Sequence, residues 1–369
     1  MKRNFSTTKL ILENYWDSLR RTDPKNKIKK IDISKYQHLN LDQLIKTETV
    51  PRTTKVSSRN FIHNSLYNHN YGYFNKKAPQ TEIDFSKIRD NYDFLNYTSN
   101  LYKQIDNTEL QNSEARQIWH TPTELFRPWY GYALANYILT NYTLDKKGAK
   151  YLHIFEVGGG NGTLMLNILD FIRSNNFEIY QNMKYTIIEI SDLLLLKQKE
   201  IKTHEGRFQI IKKSIFDWET EFNDPCFFIS MEVIDNFSHD VVRYDSDTMA
   251  PLQEMVLIDE DGDFEVGFEE VTDPLLKRYL SIREETGYVS PILRGFHVKR
   301  FLKSFLPFSS NMTQPEFLPT MCLQFFEKLN KYFPKHRLIL SDFSSLPDAV
   351  NGVDGPVVQT RYNGGIFVK

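Results

Sequence analysis

Hydrophobic positions in the second half of the chain form short continuous runs, and these alternate with longer stretches in which they recur every three or four residues. The continuous runs predict buried strands at 151–157, 184–190, 208–212, 225–231, 254–258 and 336–342, with a final pair near 356–368. The periodic stretches predict helices at 162–174, 191–203 and 317–333, and one that begins near Glu232. This alternation predicts an α/β fold with a doubly wound, mainly parallel sheet, which binds ligands at the carboxyl ends of its strands.

The other regions show different patterns. We expect a presequence at 1–22, a flexible polar arm at 23–63, an N-terminal helical region at 64–150, and a main domain at 151–369 with an insertion at about 260–310. Predicted helices lie at 85–103 and around 125–137, and inside the insertion at 274–285 and 298–305. The aromatic residues of 64–75 could stack on a ligand, but packing against the main domain is favoured.

The first twelve residues are basic and rich in hydroxyl groups, and no acidic residue precedes Glu13. Such a segment is typical of a mitochondrial presequence, and Arg3 to Thr7 is similar to a matrix-protease cleavage site. We therefore expect a mitochondrial matrix protein, the alternative being a merely basic and disordered start.

The amino-acid composition restricts the kinds of partner that we expect the protein to bind. A net charge of −1 over 369 residues gives the chain no polycationic character, which argues against a nucleic-acid partner. No apolar run reaches the roughly 18 residues of a membrane span. Cys226 and Cys322 are far apart and are interpreted as small buried hydrophobes, so neither a disulfide framework nor a metal site is expected.

A glycine-rich turn, Gly158 to Gly162, separates the strand predicted at 151–157 from the next helix. The dinucleotide pattern Gly-x-Gly-x-x-Gly fails here, because its third glycine would fall on Thr163 or on Met165. The Gly-Lys-Ser/Thr ending of a phosphate-binding loop is absent as well.

The order acid-x-Gly-x-Gly-x-Gly, which begins at Glu156, instead resembles motif I of the class I S-adenosylmethionine (SAM) methyltransferases. Glu189 lies at the C-terminal end of the next predicted strand, where a carboxylate can accept hydrogen bonds from both ribose hydroxyls. The alternative is that both acids are ordinary strand-end carboxylates and the glycines only a tight turn. The residues predicted to bind the cofactor are Glu156, Gly158, Gly160, Gly162, Thr163, Glu189 and Asp217.

Two carboxylates follow the strand predicted at 225–231, and in this fold the transferred methyl group sits above that strand end. Glu232 and Asp235 are three residues apart and would share a face if the segment were helical. Paired carboxylates grip the planar guanidinium of arginine, and positioning and desolvation are what methyl transfer mainly requires, without a metal. We therefore predict both as catalytic. The structural alternative is that Asp235 caps a turn and Glu232 binds a backbone amide.

Several motifs together resemble the MidA-like methyltransferases. They are the Glu-x-Gly-x-Gly-x-Gly-Thr-Leu-Met motif at 156–165, a Thr-Pro-Thr-Glu-Leu motif at 121–125, a Glu-Val-Ile-Asp motif at 232–235 and a C-terminal Gly-Pro motif at 355–364. Thr121 is also predicted to cap a helix, with Glu124 completing a capping box.

The resemblance implies a SAM-dependent mitochondrial protein arginine methyltransferase of the symmetric type. It also implies that Thr121 and Glu124 bind the substrate, a matrix protein for which a respiratory complex I subunit is the candidate.

The chain also departs from the family pattern. Met231 replaces an asparagine, Asn236 to Ser238 replace Ala-Leu-Pro, and Gln117 to Trp119 replace Gly-Asp-Phe. Two alternatives therefore stay open: an assembly factor or scaffold with weak or no catalysis, for a mitochondrial complex or the mitochondrial ribosome, and an RNA methyltransferase.

Overall fold

The computed structural model describes residues 32–76, 96, 100, 121–144, 151–293, 311–344, 355–356, 359–362 and 365–368. Its strands are β1 (Gln37–His38), β2 (Thr54–Ser57), β3 (His153–Val157), β4 (Lys184–Glu189), β5 (Phe208–Lys212), β6 (Cys226–Met231), β7 (Asp240–Tyr244), β8 (Pro251–Ile258), β9 (Phe264–Glu270), β10 (Glu316–Leu318), β11 (His336–Ser341), β12 (Gln359–Tyr362) and β13 (Gly365–Val368).

Its helices are α1 (Leu41–Leu44), α2 (Ser58–Tyr67), α3 (Tyr73–Lys76), α4 (Pro122–Leu125), α5 (Trp129–Leu144), α6 (Thr163–Asn175), α7 (Phe177–Asn182), α8 (Asp192–Lys199), α9 (Pro274–Glu285) and α10 (Thr320–Tyr332). None of these helices is long and apolar enough to cross a bilayer.

The chain forms two compact units. The first contains the described residues within Met1–Leu44, Val50–Phe61 and His239–Leu318, and the second contains those within Ile45–Thr49, Ile62–Ser238 and Pro319–Lys369.

A five-stranded parallel sheet forms the centre of the second unit, in the order β11-β6-β3-β4-β5. The chain runs outward from β3 through β4 to β5, and then returns to place β6 on the other side of β3. This reversal confirms the predicted doubly wound sheet, and in such sheets ligands bind at the carboxyl ends of the strands beside the reversal, which here are β3 and β6.

Both faces of this sheet are covered, which explains the continuous apolar strands. Alternate residues such as Ile154, Ile187 and Ile229 pack on one side with the buried face of α6. Their neighbours, among them Phe155 and Phe228, pack on the other side with α10. Each strand therefore contributes to two cores, as the sequence pattern predicts.

A mainly antiparallel sheet forms the first unit, in the order β1-β2-β8-β7-β10 with β9 beside β8. Buried charges hold it together: Arg59 bonds to Asp240 and Asp273, and Arg283 bonds to Glu316.

Residues 254–258 form a strand, as predicted, but the prediction placed this strand in the wrong sheet. This strand is β8 of the antiparallel sheet, where it forms a hairpin with β9. Gly262 takes a φ of +94° in the connecting turn, and the Asp259 carboxylate accepts hydrogen bonds from the backbone N–H groups of Gly262 and Asp263. The hairpin depends on this turn chemistry, which an apolar run does not reveal.

Other boundaries differ as well. Residues 32–63, within the predicted flexible arm, contain β1, α1, β2 and the first turns of α2, because β2 pairs with the distant strand β8. The predicted insertion at 260–310 contains β9 besides the predicted helix α9. The helix expected from Glu232 is one 3₁₀ turn, Ile234–Asn236, because β7 begins at Asp240. The presequence at 1–22 and the helix at 298–305 lie outside the described residues, as does most of 85–103.

Candidate functional site

The glycine turn adopts a backbone that only glycine takes without strain. Gly158, Gly160 and Gly162 have φ values of +69°, +52° and +82°. A Cβ at Gly158 would lie 3.0 Å from Val233 Cγ2, and one at Gly162 would lie 2.7 Å from Ile201 Cδ1, whereas a Cβ at Gly160 would meet no atom within 4 Å. Gly160 therefore presents bare backbone to open space, which is the surface that a cofactor needs for close approach.

Glu156 lies in the interior beneath this turn. It is 3% exposed, and the Tyr185 hydroxyl donates a 2.9 Å hydrogen bond to its Oε2. Burial raises the pKa of Glu156 to about 7, the Tyr185 bond opposes this, and the negative charge of Glu189 adds to it. A direct contact between Glu156 and the cofactor stays a prediction.

Glu189 ends β4 beside the turn and is 2% exposed. Its Oε1 accepts hydrogen bonds from the backbone N–H groups of Ile190 (3.0 Å) and Ser191 (2.9 Å), and its Oε2 accepts one from Gln198 Nε2 (3.0 Å). Burial raises the pKa of Glu189, and these three bonds oppose the shift. Oε2 keeps one lone pair free of these bonds, so the residue can still accept a ribose hydroxyl.

Glu124 joins the Thr-Pro-Thr-Glu motif to the glycine turn. Its Oε1 accepts hydrogen bonds from Thr163 Oγ1 (2.7 Å) and from Asn161 Nδ2 (3.2 Å). The predicted capping box is therefore wrong: Thr121 precedes α4 without a side-chain capping bond, and the carboxylate of Glu124 is used elsewhere. Substrate binding by Thr121 and Glu124 remains a prediction.

Asp217 lies apart from these contacts. It ends the 3₁₀ turn Ile215–Asp217 that follows β5, and its side chain is exposed. Among the described residues no hydrogen bond connects it to the glycine turn, so its cofactor contact stays a prediction as well.

Three carboxylates meet where β6 and β11 end side by side. The backbone N–H of Asp235 donates a 3.1 Å hydrogen bond to Asp342 Oδ2, and the backbone N–H of Glu232 donates one of 2.9 Å to the carbonyl of Ser341. Glu232 has a φ of +56°, and its buried Oε2 has no hydrogen-bond partner within the described part of the chain.

Burial and neighbouring negative charge raise the pKa of two of these carboxylates, Glu232 and Asp235. Desolvation, followed by the negative charges of Asp342 and Asp235, raises the pKa of Glu232 to about 7. Desolvation and the charge of Asp342 raise the pKa of Asp235 to about 6. A group of acids with pKa values this close to neutrality suits proton transfer and the binding of a cation.

The aromatic segment predicted at 64–75 packs against this region. Tyr67 and Phe74 stack with ring centroids 5.3 Å apart, and the Tyr67 hydroxyl donates to the carbonyl of Asn236 at 3.2 Å. Burial, together with the charges of Asp235 and Glu189, raises the pKa of Tyr67. Tyr67 therefore lies near both Glu189 and Asp235.

Met231, which stands where the family pattern has asparagine, is buried at the end of β6. The Tyr130 hydroxyl donates a 3.5 Å hydrogen bond to its sulfur.

Sequence reasoning missed two residues of this site. Asp342 directly follows β11, and the rule that parallel strands end at one edge could have placed it beside Glu232. Gln198 lies on the buried face of α8, and no pattern in the sequence distinguishes it from a core residue.

Comparison with known proteins agrees with this geometry. The sequence profile of the family described as "Putative S-adenosyl-L-methionine-dependent methyltransferase" matches residues 133–366, which is more than half of the chain. A curated relative from Schizosaccharomyces pombe is named "Protein arginine methyltransferase NDUFAF7 homolog, mitochondrial". It is 23% identical over 325 residues, which make up 85% of this chain and 68% of that protein.

Two solved structures from Burkholderia thailandensis are similar at lower coverage. One was determined with bound S-adenosyl-homocysteine; it is 16% identical, with a TM-score of 0.40 over 62% of this chain, and the match spans about half (49%) of its length. The other, a native structure, is 17% identical, with a TM-score of 0.32 over 42% of this chain and 38% of its own.

Proposed function

The chain belongs to this family of S-adenosyl-L-methionine-dependent methyltransferases, and on that premise we propose that it methylates arginine side chains of a protein substrate in mitochondria. The observation that carries the proposal is the group of carboxylates Glu232, Asp235 and Asp342 at the end of β6 and β11. The name of the Schizosaccharomyces pombe relative supports both the arginine substrate and the compartment.

The cofactor, when bound, supplies a methyl group on a sulfonium. The glycine turn and Glu189 are the residues that would hold it, because Gly160 leaves open space and Glu189 keeps an acceptor lone pair. The three carboxylates would bind the guanidinium, which stays protonated in water and forms paired hydrogen bonds with carboxylates.

A guanidinium nitrogen that gains a methyl group must release one proton. Glu232 can accept it, because a group whose pKa is about 7 is partly ionised at neutral pH and holds the transferred proton without a large energetic cost. Among the described residues no Lys or Arg forms an ion pair with Glu232, Asp235 or Asp342, so an incoming cation meets little competition.

The test combines transfer with binding. Purified protein, methyl-labelled SAM and mitochondrial matrix extract should yield labelled arginine after hydrolysis of the protein fraction. We expect Glu232→Gln to bind SAM as the wild type does and to lower transfer by at least about 100-fold, the usual contribution of a general base. The control Glu219→Gln changes an exposed glutamate and should leave both unchanged.

Gly160→Arg should abolish both SAM binding and transfer, because its side chain would fill the open space at the turn. Label on lysine, on RNA or on no acceptor at all would contradict the arginine proposal.

The finer proposal is symmetric dimethylation of a complex I subunit in the matrix. Chromatography of the hydrolysate separates symmetric from asymmetric dimethylarginine, and mass spectrometry of matrix proteins from deletion and wild-type cells identifies the subunit. Protease protection in isolated mitochondria tests the compartment. Methylarginine that persists unchanged in the deletion strain would contradict this assignment.

The methionine at position 231 favours a second candidate function, that of an assembly factor which binds SAM but does not transfer its methyl group. A buried thioether replaces a polar residue at the end of β6, next to Glu232. Complementation distinguishes the two functions: if the double variant Glu232→Gln, Asp235→Asn fully rescues a deletion strain, the protein acts as a scaffold.

A further inference from the structure

One buried side chain connects the two parts of the cofactor site. Gln198 lies on α8 and is 0% exposed. Its Nε2 donates a 2.8 Å hydrogen bond to the carbonyl of Gly160 and a 3.0 Å hydrogen bond to Glu189 Oε2. The side-chain amide of Gln198 therefore holds Gly160 and Glu189 at a fixed separation.

The same amide leaves an acceptor unused. Gln198 Oε1 is buried, and within the described residues it has no hydrogen-bond partner. Rotating the amide would place its oxygen against two other acceptors, so the orientation is fixed by its partners. A buried acceptor without a partner destabilises a fold, and such a group calls for an explanation beyond packing.

We propose that Gln198 is a positioning residue of the cofactor site, which acts through Glu189 on the ribose of the bound cofactor. Glu189 Oε1 already accepts two backbone N–H groups, so Oε2 is the oxygen left for a ribose hydroxyl, and Gln198 sets its direction. The Gln198 bond also opposes the rise in the Glu189 pKa that burial causes, and so favours the ionised form of this carboxylate, which is the stronger acceptor.

Calorimetric titration with S-adenosylhomocysteine tests the proposal without any methyl acceptor, so the outcome is independent of the arginine proposal. Gln198→Met keeps the volume and removes both hydrogen bonds, and we expect about tenfold weaker binding, the effect of one lost bond to a charged group. The control is Lys199→Met, an exposed neighbour on the same helix, which should bind as the wild type does.

Ribose analogues separate positioning from mere folding. If Gln198 acts through Glu189, the loss caused by Gln198→Met should shrink to about twofold for the 2′-deoxy or the 3′-deoxy analogue of S-adenosylhomocysteine. An equal loss for the parent compound and both analogues would overturn the proposal, as would an unchanged affinity or a wild type that fails to bind.

A second variant keeps the test decisive if Gln198→Met does not fold. Gln198→Glu is nearly isosteric, and its protonated form can still donate one hydrogen bond, whereas its ionised form repels Glu189. Its affinity for S-adenosylhomocysteine should fall by tenfold or more as the pH rises from 6 to 8, relative to the wild type. A constant ratio over that range would refute the role of Gln198 beside Glu189.

Discussion

At the scale of single residues, the site contains carboxyl groups whose pKa values are higher than those of the same groups in water. Glu156, Glu232 and Asp235 all have raised pKa values, and burial is the first cause for each. Their roles differ because their surroundings differ. Glu156 is enclosed and bonded to Tyr185, whereas Glu232 and Asp235 lie beside a third carboxylate and keep access to a ligand.

The pH dependence of methylation follows from the raised pKa values of Glu232 and Asp235. Because Glu232 must be ionised to accept a proton, kcat/KM should rise with pH through an apparent pKa near 7, which belongs to Glu232 and Asp235 together. Asp342→Asn removes a negative charge that raises the pKa of both partners, so the rise should move to lower pH. The exposed control Asp224→Asn should leave the profile in place; a profile that Asp342→Asn does not move would contradict the coupling.

The raised pKa of Glu156 predicts that the free energy of unfolding depends on pH. The folded state raises its pKa from 4.5 to about 7, so it binds the proton more tightly than the unfolded chain does. The stability that comes from this protonation is fully present below pH 4.5 and is lost as the pH rises through 7.

Glu156→Gln cannot ionise, so from pH 5 to pH 8 it should gain about 2–3 kcal/mol relative to the wild type. Urea unfolding at both pH values measures the difference, and a gap independent of pH would show that Glu156 does not titrate in this range.

At the scale of elements, the parallel strands were predicted to within two residues, because a strand buried on both faces leaves a continuous apolar run. The turn after β6 was not predicted. Glu232 and Asp235 have helical spacing, but Glu232 enters the left-handed region and only one 3₁₀ turn forms.

The other differences between prediction and structure arise because the interacting residues are far apart in the sequence. Strands β1 and β2 pair with each other and β2 with β8, about 200 positions later, so no local pattern reveals them. Asp342 is separated from Asp235 by 107 positions, so the local spacing that pairs Glu232 with Asp235 does not reveal it, and only the parallel pairing of β6 with β11 could have placed it beside them.

Helix α4 shows how an element outside the sheet can support the glycine turn. Glu124 accepts two hydrogen bonds from the turn, so Glu124→Ala should weaken SAM binding several-fold and increase amide exchange at 121–125. Glu124→Gln keeps an acceptor oxygen and should recover most of the affinity. Equal defects in the two variants would mean that the negative charge, and not the hydrogen bonds, is required.

At the scale of the whole molecule, the chain builds its two units from interleaved segments, and every predicted site residue belongs to the second unit. The first unit contributes its own buried charges. Arg59 is 10% exposed in its side chain and Asp240 is 1% exposed, so this pair is shielded from water.

Arg59→Met should therefore lower the free energy of unfolding by about 3–5 kcal/mol, because the buried carboxylate of Asp240 loses its ion pair with the guanidinium of Arg59. Affinity for S-adenosylhomocysteine should stay within about twofold of the wild type at temperatures where the variant is folded. Lys55→Met breaks the more exposed pair with Glu269 and should cost about 1 kcal/mol or less. Loss of cofactor affinity in folded Arg59→Met protein would show that the site depends on the first unit.

The left-handed backbone at Glu232 has a consequence for protein engineering. A non-glycine residue at a φ of +56° is strained by about 1–2 kcal/mol, and here it also buries an oxygen without a described partner. Glu232→Gly relieves both burdens, so directed evolution for heat resistance alone should select it repeatedly. The resulting proteins would survive higher temperatures and still bind SAM, but they would lack the carboxylate that we propose as the proton acceptor, so selection for heat resistance would lower turnover at this position.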